Sequence, residues 1–202
     1  MNGFDLLAPI YDRLARLVFG RSIVDSQTVF LHHVKSGDRV LILGGGTGWL
    51  LAELVRHVPD CEIWYIESSN GMLDVAKQKV NGSNTVHFVL GTHRDIPLMK
   101  FDVVITHFFL DMFSQEELPS VLSGLSRVLH QQSIWLATDF ENEGKWWQGV
   151  LTKMMIVFFR AFGVKAGHLP TWRKSLSIVD MHEVEMKFYY KGFIKATFYK
   201  RR

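Results

Sequence analysis

The stretch Arg39-Val-Leu-Ile-Leu-Gly-Gly-Gly-Thr-Gly48 decides the fold. Its apolar run, Arg39 to Leu43, has the unbroken hydrophobicity of a strand buried on both faces, the habit of parallel sheets packed between helices. The run breaks at once into glycines at 44, 45, 46 and 48, and a helical pattern follows from about Trp49 to His57. A strand that feeds a helix through glycines presents backbone N–H groups and the positive helix end to a ligand, and lets that ligand come close. A dinucleotide-binding loop would read G-x-G-x-x-G. Counted from Gly44 and Gly46 that pattern meets Trp49, and counted from Gly45 it meets Thr47, so it fails in both registers.

Outward from the loop, short apolar runs alternate with longer amphipathic ones, the rhythm of βαβ units. Strands are expected at 62–66, 85–90, 101–106 and 133–138, and helices at 71–80 and 115–130. Ser114 and Glu117 stand at capping-box spacing. Before the loop, two helices are expected at about 6–19 and 23–33. After strand five the rhythm changes. A long helix with a broad apolar face spans 145–162, a short helix runs from Pro170 to Ile178, and 183–190 with 193–200 read as an antiparallel pair around Lys191-Gly192. The fold class is therefore α/β, a Rossmann-like seven-stranded, mostly parallel sheet with helices on both faces and an antiparallel last strand. No repeat or domain boundary interrupts residues 1–202, with N-terminal helices in 1–36 and a lid expected in 140–170.

Composition narrows the function classes. The 202 residues are 48% hydrophobic and 21% charged with net charge +3, which argues against disorder and gives no basic stripe for nucleic acid. The single cysteine, Cys61, rules out an intrachain disulfide framework and fits a reducing, cytoplasmic setting. The nine histidines show no metal-ligand spacing such as H-E-x-x-H, so no metal is expected. The N-terminus lacks the basic and apolar regions of a secretory signal, and 146–163 is too short and too charged for a membrane span.

Glu67 closes the second strand pattern, 23 residues after Gly44. A carboxylate there can accept both hydroxyls of a ribose. Ser68-Ser-Asn-Gly-Met-Leu73 follows. Plain alternatives are a solvated strand-end charge for Glu67 and core packing for Met72. The loop Gly44-Gly-Gly-Thr-Gly48 with Glu67 and Met72 resembles the motifs of class I S-adenosylmethionine-dependent methyltransferases. The opening Leu6-Leu-Ala-Pro-Ile-Tyr-Asp-Arg-Leu14 resembles the small-molecule branch that includes the menaquinone and ubiquinone C-methyltransferases. That resemblance implies S-adenosylmethionine as cofactor, held by Tyr11, Gly44, Gly45, Gly46, Gly48, Glu67, Ser68, Met72, Thr92, His93 and Thr106. Tyr11 is equally readable as a core residue of a helix face. Two departures stand out. The family's acidic residue two positions before the first glycine is Ile42 here, and its Gly-Asp after strand three is Gly91-Thr92.

Ligands of open parallel sheets sit beyond the carboxyl ends of the strands. His107 and Asp111, after strand four, are therefore the first candidates for catalysis, and Asp139, after strand five, is the third. A hydrogen-bonded structural histidine and a turn aspartate are the competing readings. The aromatic segment with Trp146, Trp147, Phe158, Phe159 and Phe162 reads as a lid over a small apolar or aromatic acceptor, as a peripheral membrane contact through 145–162, or as core or dimer packing. Competing functions are a non-catalytic adenosyl-ligand-binding module and, further off, an aminopropyltransferase. The latter needs an acidic cluster where this chain has Thr106-His-Phe-Phe109.

Overall fold

The computed structural model describes residues 5, 10–80, 82–161 and 178–201. In chain order the elements are α1 (Tyr11–Phe19), α2 (Ser22–Thr28), β1 (Arg39–Leu43), α3 (Trp49–His57), β2 (Glu62–Glu67), α4 (Asn70–Lys77) and β3 (Thr85–Leu90). There follow β4 (Phe101–His107), α5 (Leu118–Val128), β5 (Leu129–Phe140), α6 (Trp146–Ala161), β6 (Met181–Tyr189) and β7 (Ile194–Arg201). The strands form one sheet in the order β3-β2-β1-β4-β5-β7-β6. β7 runs antiparallel to both of its neighbours, and the central strands are parallel. The chain leaves β1 toward β2 on one side and reaches β4 on the other. The carboxyl ends of β1 and β4 therefore flank a crevice at the topological switch point.

The alternation within β1 sorts the two layers. Val40 and Ile42 face a core closed by residues 30–34, α3 and α4, and Leu41 and Leu43 face a core closed by α5. Each fully buried aliphatic side chain of this kind contributes about 1.5–3 kcal/mol of transfer free energy. A third cluster lies under α1, α2 and α6, where Phe19, Ile23, Phe193 and Ile194 meet Phe108, Phe140, Trp147 and Leu151.

Several boundaries differ from the sequence expectation for local reasons. The Ser114–Glu117 pair does form, with Ser114 N donating to Glu117 Oε2 (2.9 Å) and Glu117 N to Ser114 Oγ (3.3 Å), but it closes the turn before α5. β5 outruns its expected 133–138 because Leu129 pairs with Phe101 at one end and Phe140 with Ile194 at the other. The second helix ends at Thr28, and residues 31–33 form only a single tighter turn. The expected helix 6–19 is described from Tyr11. The short helix expected from Pro170 lies outside the described residues up to Ile178. Among the described residues no helix is long and apolar enough to cross a membrane.

Gly48, with φ +78°, leads into α3, and a Cβ there would stand 2.7 Å from Ala76 Cβ and 2.8 Å from Ala76 Cα. Gly124 within α5 has open space around it. Gly48→Ala is expected to cost about 2–4 kcal/mol from left-handed strain and overpacking. Gly124→Ala is expected to gain about 0.5–1 kcal/mol. Urea denaturation of the two variants beside the wild type reads both signs, and a neutral Gly48→Ala would contradict the close packing of the loop on α4.

Candidate active site

The glycine loop is locked from beneath. Tyr65, on β2, lies under Gly45 so closely that a Cβ there would fall 2.2 Å from its ring, and its hydroxyl donates to Gly46 O at 2.9 Å. Burial and the neighbouring Glu67 charge hold the Tyr65 phenol well above its usual pKa, so it remains a donor. Glu67, 5% exposed, accepts from Gly46 N through Oε2 (3.0 Å) and from Ser69 N through Oε1 (2.8 Å). Burial raises its pKa, and the backbone N–H groups it accepts from oppose that rise. Ser68 Oγ also donates to Oε1 at 3.4 Å; a carboxylate offers about four lone-pair sites, so capacity for a further donor remains on the Oε2 side.

The N-terminal segment reaches back to the same loop. Thr47 Oγ1 donates to Asp12 Oδ2 at 2.7 Å, and Lys79 Nζ lies 3.7 Å from that carboxylate. Asp5 accepts from Ser69 Oγ (2.7 Å) and Gly71 N (3.1 Å) at the start of α4. Ser69 in turn caps α4 by accepting from Met72 N at 3.2 Å. Sequence reasoning missed Asp5 and Asp12, because nothing local marks a helix residue as the partner of a loop dozens of positions away.

Loop, Glu67 and α1 enclose one end of a cavity of about 400 Å³ at the switch point. The structure brings to its lining Tyr11, Gly44, Gly45, Gly46, Glu67, Ser68, Met72, Thr92, His93, His107 and Asp111. Two expected cofactor residues lie elsewhere. Gly48 packs on Ala76, and Thr106 is wholly buried, accepting from Trp135 Nε1 at 2.8 Å. Thr92 is on the wall, but its hydroxyl is committed to a turn, accepting from Arg94 N (3.2 Å) and approaching Asp95 Oδ2 (3.2 Å). Ile42, where the family carries an acid, is core and 1% exposed. Other residues lining the cavity were not singled out in sequence: Asp12, Trp49, and the aromatic group Phe108, Phe109, Phe113 and Phe140.

The far end holds the titratable groups. His107 Nε2 donates to Gln27 O at 3.1 Å, so in the neutral ring Nδ1 is the acceptor, and it makes no hydrogen bond among the described residues. Burial pushes its pKa down to about 3, so it is an acceptor rather than a base near neutrality. Burial pushes Asp111 up to about 7. Asp139, 2% exposed, is raised well above the carboxylate range by burial and by the charge of Asp111, against the opposing N–H groups of Phe109, Leu110 and Asp111. Neither oxygen of Asp139 nor Oδ1 of Asp111 makes a well-formed hydrogen bond among the described residues. Two carboxyls this close do not both ionise readily. The Tyr11 phenol is raised above its usual value by burial and then by Asp111, Asp12 and Glu67, so it stands between the two ends of the cavity.

With the geometry in place, the likeness to known proteins is specific. Residues 40–132 match the model of the methyltransferase domain family. That stretch, a little under half of the chain, is similar to a methyltransferase domain. The chain is 29% identical over 147 residues to a ubiquinone/menaquinone biosynthesis C-methyltransferase of Vibrio campbellii, covering 69% of this chain and 56% of that one. It is 30% identical over 136 residues to a demethylmenaquinone methyltransferase of Thermotoga maritima, covering 65% and 57% respectively. The matched stretch thus spans little more than half of each of these relatives. A magnesium protoporphyrin IX methyltransferase from Synechocystis, solved with bound S-adenosylmethionine, shares the fold with a TM-score of 0.69 at 16% identity, covering 100% of this chain and 98% of that one.

The carboxyl pair has a thermodynamic signature. In the unfolded chain these groups titrate near about 4, and in the folded chain Asp111 titrates near about 7. Between those values the folded state keeps a proton that the unfolded state has released, so stability falls as pH rises across that window, and the higher-lying Asp139 extends the fall above it. The Asp111→Asn/Asp139→Asn double variant is expected to abolish a loss of about 2–4 kcal/mol between pH values on either side of the window, read by urea denaturation. An unchanged pH slope in that variant would contradict the assignment.

Proposed function

We propose that this chain transfers the methyl group of S-adenosylmethionine to a small apolar or aromatic acceptor. One observation carries the reading: a glycine loop locked to Glu67 closes one end of a cavity whose other end is aromatic. Gly44 to Gly46 line the end of the cavity that suits the cofactor's amino-acid end, with Gly44 N, Gly46 N and Gly46 O already bonded within the protein, and the remaining lone pairs of Glu67 suit the ribose hydroxyls. Met72, Thr92 and His93 line the adenine side, with backbone groups rather than the Thr92 hydroxyl supplying polar contacts. Asp12 stands in for the acid that the family carries where this chain has Ile42, facing the ammonium of the methionine end from α1. When bound, the sulfonium supplies an already activated methyl group.

What the chain adds is position, dryness and a place for a proton. Phe108, Phe109, Phe113 and Phe140 form a wall that suits an aromatic ring and excludes water. α6 backs that wall through Trp147 and Leu151 and serves as the acceptor-side cover. Asp111, poised near neutrality, is the base for an acceptor that must lose a proton, with protonated Asp139 behind it. His107 Nδ1 accepts a hydrogen bond from the acceptor. The non-catalytic reading draws on Ile42 and on the engaged Thr92 hydroxyl, and cofactor binding without turnover on any acceptor would favour it.

Calorimetry with S-adenosylmethionine, S-adenosylhomocysteine and NADH tests the cofactor assignment. Both adenosyl ligands are expected to bind and NADH to fail, with Glu67→Gln weakening the adenosyl ligands about 10- to 100-fold through lost hydrogen bonds. Absence of adenosyl-ligand binding at millimolar concentration would overturn the proposal. In a screen of quinone-like phenols, the rate with an accepted substrate is expected to rise with pH through about 7. Asp111→Asn should lose that rise.

A further inference from the structure

Among the described residues, α6 is apolar on more sides than its neighbours cover. Its inner face, Trp147, Leu151 and Met155, packs against the cluster behind Phe108 and Phe140. Its outer face is also apolar: Trp146 is 82% exposed, Val150 49%, Met154 61% and Val157 67%. These four fall at helical spacing on one stripe. A helix hydrophobic all round is ordinarily buried, in a protein core or in lipid, and a large exposed apolar patch marks an interaction surface.

The charges say which kind. The outer face also carries Lys153 and Arg160, both exposed, and α6 contains no carboxylate along its length. Long basic side chains can lay their stems along apolar surface and lift their charges toward a polar boundary. A helix face that is apolar and basic, on a helix without carboxylates, complements a surface that is apolar beneath a negative skin. α6 has 16 residues, a length of about 24 Å, against about 30 Å for the hydrocarbon of a bilayer. It lies on such a surface rather than crossing it.

We propose that the outer face of α6 docks this protein on anionic lipid bilayers, with Trp146, Val150, Met154 and Val157 entering the interface and Lys153 and Arg160 meeting the lipid phosphates. α1 packs on the same cluster and offers Leu17, 81% exposed, as a further apolar contact. Arg16 of α1 is exposed and lines the cavity, so docking sets the cavity beside the lipid boundary, within reach of an acceptor dissolved there. That consequence rests on the methyltransferase reading, whereas the docking itself does not.

The test is co-sedimentation of the full chain with large vesicles of phosphatidylcholine, with and without about one third phosphatidylglycerol, a content that gives a negative surface potential. Binding to the anionic vesicles is expected, with weakening as salt screens the charges. Each basic side chain near such a surface is worth about a five-fold gain in partition, so Lys153→Glu/Arg160→Glu should lose about 25-fold or more. Trp146→Ser/Val157→Ser should weaken binding to both kinds of vesicle. Both variants change exposed positions, and unchanged thermal melts would show that they fold. Failure of the wild type to bind anionic vesicles would overturn the proposal, as would variants that bind like the wild type. A dimer by size exclusion with light scattering, made monomeric by Trp146→Ser/Val157→Ser without vesicle binding, would assign the stripe to a second copy instead. Calorimetry with the adenosyl ligands is independent of every one of these outcomes.

Discussion

The Glu67 carboxylate bridges two backbone segments, the glycine loop and the entrance to α4. One oxygen accepts from Gly46 N in the loop after β1, and the other accepts from Ser69 N at the entrance to α4. A buried carboxylate is costly unless its oxygens are satisfied, so the two segments are obliged to present their N–H groups to it. Tyr65 completes the constraint from below, its ring excluding any side chain at Gly45 and its hydroxyl holding Gly46 O. The shape of the cavity's polar end follows from these few contacts. Its walls at the other end follow from how α1 and α2 are tied down across it, by Asp12 on Thr47 and by Gln27 O on His107.

The two ends of the cavity differ in how many donors meet their buried carboxyls. At the loop, burial raises the Glu67 pKa, and the N–H groups of Gly46 and Ser69 oppose that rise. At the ends of β4 and β5, Asp111 and Asp139 are pressed into an apolar surrounding with few donors, so burial drives them toward their neutral forms. His107 is driven neutral by the same burial from the other direction. Buried, shifted carboxyls gathered beside a cavity commonly mark a place where chemistry is carried out. The aromatic side chains of that region supply the low polarity that makes the shifts possible.

What could be read from sequence was what is encoded locally. The β1 run, the glycines and Glu67 at the end of β2 are consecutive or lie on adjacent parallel strands, so the order of the chain already fixes their neighbourhood. The sheet followed from the alternation of patterns, and the final antiparallel pair from its β-branched and aromatic content. Asp5, Asp12 and the pairing of Asp139 with Asp111 were not legible as a set, because each depends on contacts between segments far apart in sequence. Thr106 shows the converse. It sits next to His107 at a strand end that faces the crevice, yet the alternation of side chains turns it inward to Trp135. The start of α5 slipped by a few residues because the Ser114–Glu117 pair serves the preceding turn rather than the helix itself.

In the proposed function the loop at Gly44 to Gly46, Glu67 and the start of α4 form one cradle for an adenosyl ligand. Hydrogen exchange of the full chain with and without S-adenosylhomocysteine tests this cradle, since its own N–H groups are the reporters. Added protection is expected at residues 44–48 and 67–73, with the amino-terminal ends of β1 and β4, at the opposite edge of the sheet, unchanged. Protection absent from those two segments, or confined to other parts of the chain, would contradict it.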